Sequence, residues 1–257
     1  MKFGVGCGIS NAAVVKNAGY DYIEPPLKVN CTMSEQEFGE ACATLKETGI
    51  AAEVFNGFFP GDMALVGDEV DIKRISEHAK LGLYRAACLG GKIAVIGSGP
   101  ARNIPEGFDA ARAKEQFMYI VNTCADIAAE NGIRIVVEPL NKSETNYINT
   151  VADGIRFVHK LGNPNVGCMA DLYHMYREKE DYSILARNDY PLIHVHLARP
   201  NDDRRMPEEA DMPALEGWAK LLKENGYDAR ISLEGSFKPE FEETINQVRP
   251  RLNVFCK

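Results

Sequence analysis

Short runs of apolar, often β-branched residues alternate along the chain with longer amphipathic stretches. The runs at 3–9, 20–24, 50–55, 92–96, 135–137, 166–170, 192–197 and 229–233 read as strands. The run 135–137, Ile-Val-Val, is apolar without a break, the pattern of a strand buried on both faces. The stretches at 10–18, 34–48, 70–89, 108–130, 151–161, 181–187, 214–225 and 239–255 read as helices. Ser34 with Glu37 forms a capping-box signal at the start of one of them, and Gly49 is its stop. Gly90, Gly132, Gly162 and Gly226 close others. Strands that alternate with helices at this spacing imply a parallel sheet. Eight such units in 257 residues predict one α/β domain over 1–257, a (β/α)8 TIM barrel. The competing architecture is an open doubly wound sheet. Its dinucleotide fingerprint is not met by Gly97-x-Gly99, which lacks the third glycine and reads as a loop needing positive φ.

The strand ends carry the chemistry. Glu138 sits where the run 135–137 should end, and Pro139 cannot extend a ladder. Asp171, His196 and Glu234 take the same position on the next three strands. In a barrel these four side chains share one mouth, the face where such folds place their sites. Three carboxylates that close would repel one another, so a cation is their natural neutraliser. Oxygen and imidazole donors without thiolate suit Mn²⁺, Mg²⁺ or Co²⁺ better than structural zinc. His194 and His196 lie two apart and share a face; His196 reaches the mouth, and His194 packs deeper. His174, on the loop after strand six, and Glu144, six residues after Glu138, are candidates for substrate contact. Arg102, Arg199, Arg204 and Arg205 lie on loops after strands four and seven and are read singly as solvated. His78 and His159 fall in helices and Trp218 on a helix face, all structural; Phe58 and Phe59 either wall the mouth or pack in the core.

Composition narrows the partners. Hydrophobic content of 45% supports a sizeable core, and a net charge of −8 argues against a nucleic-acid surface. Seven cysteines without a C-x-x-C pair point to reduced thiols in a cytoplasmic setting. No apolar run approaches a membrane span, and the N-terminus lacks a signal peptide's apolar region. The expected partner is a small sugar or keto-acid, with no nucleic acid and no membrane. The assembly, homodimer or homotetramer, stays open.

Taken together, these residues resemble the xylose-isomerase-like barrel family of sugar isomerases and epimerases, nearest to the ketose 3-epimerases and hydroxypyruvate isomerases. Glu138-Pro-Leu-Asn141 with Glu144, Asp171-Leu-Tyr-His174, His194-Val-His196 and Leu233-Glu234-Gly235 are similar to that family's strand-end motifs. The loop from Gly97 to Arg102, with Pro105-Glu-Gly107, is similar to its fourth loop. The resemblance implies one divalent ion, Mn²⁺ first and Mg²⁺, Co²⁺ or Zn²⁺ otherwise, held by Glu138, Asp171, His196 and Glu234. It implies that Glu138 and Glu234 transfer protons and that Glu144 and His174 contact substrate. Two departures concern the substrate. Where the family's substrate-binding arginine follows the metal histidine by six residues, this chain has Asp202, so Arg204 or Arg205 stands in. Gly235 stands where the epimerases usually have proline.

The implied activity is a metal-dependent sugar or sugar-phosphate isomerase or epimerase. It would move a proton α to a carbonyl through a metal-stabilised enediolate. A dehydratase acting on a keto-sugar or keto-inositol through the same metal site is the alternative. A histidine-rich nuclease is disfavoured by five histidines and the net charge. A sugar-binding module would not need three acids around an ion.

Overall fold

The computed structural model describes residues 1–187 and 191–256. Its strands are β1 (Lys2–Val5), β2 (Tyr22–Ile23), β3 (Val54–Phe55), β4 (Ile93–Ile96), β5 (Arg134–Val137), β6 (Val166–Cys168), β7 (Ala170–Asp171), β8 (His194–Leu197) and β9 (Arg230–Leu233). Its helices are α1 (Ala12–Asn17), α2 (Leu27–Asn30), α3 (Glu35–Thr48), α4 (Ile72–Cys88), α5 (Ala110–Glu130), α6 (Val151–Leu161), α7 (Leu172–Glu178), α8 (Met212–Glu224) and α9 (Phe241–Val248). The strands pair in parallel in two arcs, β2-β1-β9-β8-β7 and β3-β4-β5-β6. Bridges from Tyr22 to Ala51 and from Pro26 to Asn56 join the arcs on one side. On the other, β6 and β7 are halves of one stave interrupted at Met169, whose N–H donates to the Val137 carbonyl. The wall therefore closes into the TIM barrel expected from the alternation.

Strand periodicity sorts side chains to two sides of this wall. Tyr22, Val54, Ile93, Val95, Val136 and Met169 form a small buried cluster of their own. Their neighbours Ile23, Phe55, Ala94, Ile96, Ile135 and Val137 belong to the larger core under the helices. The inner cluster fills the barrel, and Gly4 makes room for it: a Cβ there would overlap the Tyr22 ring. The Tyr22 hydroxyl shares a 2.7 Å hydrogen bond with Ser232 Oγ across the interior. At the N-terminal rim of the barrel Glu53 joins Lys2 and Arg230, at 2.6 and 2.7 Å.

Local signals act as read at α3, where the Ser34–Glu37 capping box forms and Gly49 is left-handed. Three expectations are corrected. The segment after Asp171 is the helix α7, because the Asp171 side chain caps the Tyr173 and His174 N–H groups. The last helix ends at Val248 and continues as a 3-10 segment, Arg249–Cys256. Pro250 lacks the N–H that an α-helix would use there. Gly97 and Gly99 do not supply positive φ; Ser98 does, at 44°. No helix among the described residues is long and apolar enough to cross a membrane. All seven cysteines are free thiols.

The interior fit of Gly4 is testable. Gly4→Ala should destabilise the fold by about 1–3 kcal/mol, the usual cost of overpacking. A urea midpoint unchanged from the parent would show that the Tyr22 ring relocates at no cost.

Candidate active site

The period of two that fills the barrel also builds its mouth. Glu138 is two residues beyond Val136, Asp171 two beyond Met169, and Glu24 two beyond Tyr22, so each acid points inward above a packed side chain. Glu138, Asp171, His196 and Glu234 each offer a ligand atom within 4.8 Å of the others. Glu138 and Asp171 are buried, and His196 is fully so. His196 Nδ1 lies 3.0 Å from Glu138 Oε1, 2.9 Å from Glu234 Oε2 and 3.9 Å from Asp171 Oδ2. The four strand-end residues read from the sequence therefore do converge.

Close approach is arranged by glycines. A Cβ on Gly97 would overlap the Glu138 carboxylate, and one on Gly99 would crowd the Glu144 carbonyl. A Cβ on Gly235 would overlap the Arg204 carbonyl, which also accepts from Ser236 N–H at 2.8 Å. The two departures noted after strands seven and eight are thus one feature: Gly235 lets the longer loop pack down and deliver Arg204.

Arg204 reaches into the acids. Its Nη2 donates to Asp171 Oδ2 at 3.0 Å and Glu234 Oε2 at 2.6 Å, and its guanidinium lies over the Tyr173 ring. Arg205 does not enter the mouth. The chain alternates at the Arg205–Ser236 bridge, and the Arg205 side chain runs outward toward Glu208 at 3.9 Å. Arg199 likewise pairs with Glu208 and Asp211. Arg102 is fully buried and donates to the Glu138, Ile148 and Ile96 carbonyls, so it ties the ends of β4 and β5 together beneath the site. Burial lowers its pKa to about 10.

His174 and Glu144 are brought to the rim as expected. The Asn141 backbone N–H and side-chain amide both approach His174 Nδ1, at 3.3 and 2.8 Å. Two donors on Nδ1 place the imidazole proton on Nε2, which faces Asp171 Oδ2 at 3.5 Å. Asn141 also donates to Glu144 Oε1 at 3.2 Å. A cavity of about 290 Å³ opens here, lined by Lys28, Phe59, Leu140, Glu144, His174, Arg204 and the acids Glu138 and Glu234. Phe59 contributes an apolar wall, while Phe58 packs in the core against Phe59 and His78.

Two residues in the site, Glu24 and Asn56, escaped the sequence reading, and a third, Asn141, was read only as part of a motif, with no role of its own. Glu24 is fully buried between His194 and His196; only its place two beyond Tyr22 hinted at this. Asn56 donates to Glu234 Oε1 at 3.1 Å, and Asn141 orders His174 and Glu144. Asn56 does not differ in local sequence from an ordinary loop residue, whereas Asn141 belongs to the Glu138-Pro-Leu-Asn141 motif.

The electrostatics are strongly asymmetric. Burial, with Glu234 and Asp171 nearby, raises the Glu138 pKa against the opposing pull of His196. Burial also pushes Glu234 upward, but His196 and Arg204 outweigh it and hold that carboxyl well below its usual range. His196 is penalised by burial as a cation, yet Glu234, Glu24 and Glu138 raise it well above the usual imidazole range. His194 is driven down, chiefly by burial.

Comparison with known proteins agrees with this fold. Residues 12–250 match the family model described as xylose isomerase-like TIM barrel. The chain is 33% identical over 118 residues to the D-psicose 3-epimerase of Agrobacterium fabrum, a match covering 44% of this chain and 39% of that protein. It is 24% identical over 237 residues to the 3-dehydro-D-guloside 4-epimerase of Escherichia coli, covering 88% of this chain and 86% of that one. A solved D-psicose 3-epimerase from Clostridium cellulolyticum superposes with a TM-score of 0.82 at 20% identity, over 100% of this chain and 98% of that chain.

Removal of Arg204 tests the charge balance. In chelator-treated protein Arg204→Ala should cost about 2 kcal/mol, below the usual cost of breaking a buried pair because the side chain is partly exposed. Glu234 has a depressed pKa, so this contribution exists at neutral pH and fades as pH falls and the carboxylate protonates. Equal urea midpoints for the two proteins at pH 7 would contradict the pairing.

Proposed function

Because this chain belongs to the xylose isomerase-like TIM-barrel family, we propose that its mouth is the active site of a metal-dependent ketose epimerase. The substrate would be a small ketose or related keto-acid. The observation that carries the reading is the convergence of Glu138, Asp171, His196 and Glu234 on one point, the first three buried and Glu234 half-buried. Those four side chains suit a divalent cation: three hard carboxylates and one imidazole, with manganese favoured by the donor set. The Arg204 guanidinium bridging Asp171 and Glu234 shows that the acids already call for positive charge there.

A divalent cation supplies Lewis-acid stabilisation of negative charge on the substrate oxygens, several kcal/mol in all. The chain's residues then divide the work. Glu138 and Glu234 come from opposite arcs of the wall, so a sugar lying between them meets a carboxylate on each face. Glu138 removes the proton next to the carbonyl. Glu234, freed of Arg204 and protonated from solvent, delivers that proton to the opposite face, Glu138 returns the proton it took to solvent, and the carbon inverts. His174, with its proton on Nε2, donates to a sugar oxygen, and Glu144 accepts from a hydroxyl. Arg204 turns from the acids to a substrate oxygen. Phe59 and Leu140 exclude water from the reacting carbon. Two proton-transfer carboxylates on opposite faces favour epimerisation over aldose–ketose isomerisation. The epimerase relatives do not favour the water-loss alternative.

Turnover of ketoses in D₂O should place deuterium at the inverted carbon. Chelation should abolish activity and Mn²⁺ restore it. Glu138→Gln and Glu234→Gln should each lower kcat by about 10²–10⁴ in protein that remains folded. Inversion that persists in chelator, or full activity of either variant, would refute the mechanism. Gly235→Ala should displace the Arg204 loop and raise KM more than it lowers kcat; unchanged KM would remove Arg204 from the substrate contacts.

A further inference from the structure

We propose that Glu24 is a positioning residue that sets which nitrogen of His196 faces the metal; the inference rests on the reading of the mouth as a metal centre. Glu24 lies on the stave of β2, fully buried below the three carboxylates and His196. Its two oxygens are each used once. Oε1 is 2.7 Å from His196 Nε2, and Oε2 is 3.0 Å from His194 Nε2. His194 Nδ1 lies 3.0 Å from the Arg230 carbonyl, and the two imidazoles meet edge-on at 89°.

Hydrogen-bond accounting fixes the protons along this chain of contacts. A backbone carbonyl only accepts, so His194 Nδ1 carries a hydrogen. His194 Nε2 occupies Glu24 Oε2 at 3.0 Å. Glu24 Oε1 takes the hydrogen of His196 Nε2. Nδ1 of His196 is then the nitrogen that faces Glu138, Glu234 and Asp171; without an ion it donates a hydrogen to the first two at 3.0 and 2.9 Å, and it is this hydrogen, not the one held by Glu24, that a bound cation would displace. Without Glu24 the imidazole has no buried acceptor at Nε2 and nothing to hold either its tautomer or its ring. Partners of this kind typically change metal affinity by about 10–100-fold. Glutamine can keep both contacts: its amide oxygen accepts from His196 and its amide nitrogen donates to a His194 protonated on Nδ1 alone.

The test uses the full chain, labelled with ¹⁵N, and Zn²⁺ as a diamagnetic probe. Long-range ¹H–¹⁵N correlation should show His196 protonated at Nε2 and bound through Nδ1. Competition titration should show Zn²⁺ binding weakened about 10–100-fold in Glu24→Ala and returned to within about threefold of the parent in Glu24→Gln. Zinc on Nε2 of His196, or Glu24→Ala binding as tightly as the parent, would overturn the proposal while leaving the metal centre in place. A parent chain that binds no divalent ion would overturn both. Should Glu24→Ala fail to fold, the tautomer in the parent and in Glu24→Gln decides: loss of the Nε2 proton in either refutes the assignment.

Discussion

Three carboxylates at one point, two buried and the third half-buried, are unstable unless positive charge sits among them, and the mouth of this barrel is organised by that constraint. Like charges at these separations repel strongly in a site shielded from water. The chain answers locally with Arg204 and His196. Arg204 is delivered by a loop that only a glycine at 235 admits. The same demand for charge makes the site a receptor for a divalent cation, and the catalytic reading grows from it.

The placement of these groups follows from strand geometry. A residue two beyond one that fills the barrel must point the same way, at the next level up. Tyr22 precedes Glu24, Val136 precedes Glu138, and Met169 precedes Asp171. The packed interior below thus supports the polar layer above: Gly4 yields space to Tyr22, and Gly97 yields space to Glu138. Buried donors complete the frame, as when Arg102 ties the carbonyls at the ends of β4 and β5.

What was legible in the sequence was whatever a single strand end could announce. Glu138, Asp171, His196 and Glu234 each close a strand, and a closed barrel brings such ends together whatever their separation in the chain. His194 was legible as the deeper histidine for the same reason. Glu24 was not: followed by two prolines, it looks like any acid at a strand stop, and its partners come from the far side of the barrel. Arg102 and Arg205 show the limit in opposite directions. Both lie on loops and read alike, yet one is buried against backbone carbonyls and the other runs outward to Glu208. Loop arginines are placed by tertiary acceptors, which no local pattern records. The helix after Asp171 was hidden because that aspartate serves two elements, ending a strand with its backbone and capping a helix with its side chain.

The central claim is spatial, and one measurement addresses it directly: the anomalous-scattering map of a crystal grown with Mn²⁺. A single peak should lie about 2.0–2.3 Å from oxygens of Glu138, Asp171 and Glu234 and from Nδ1 of His196, with the Arg204 guanidinium moved off the acids. A map with no peak among these residues, or with the ion held elsewhere while Arg204 keeps its bonds to Asp171 and Glu234, would contradict the account.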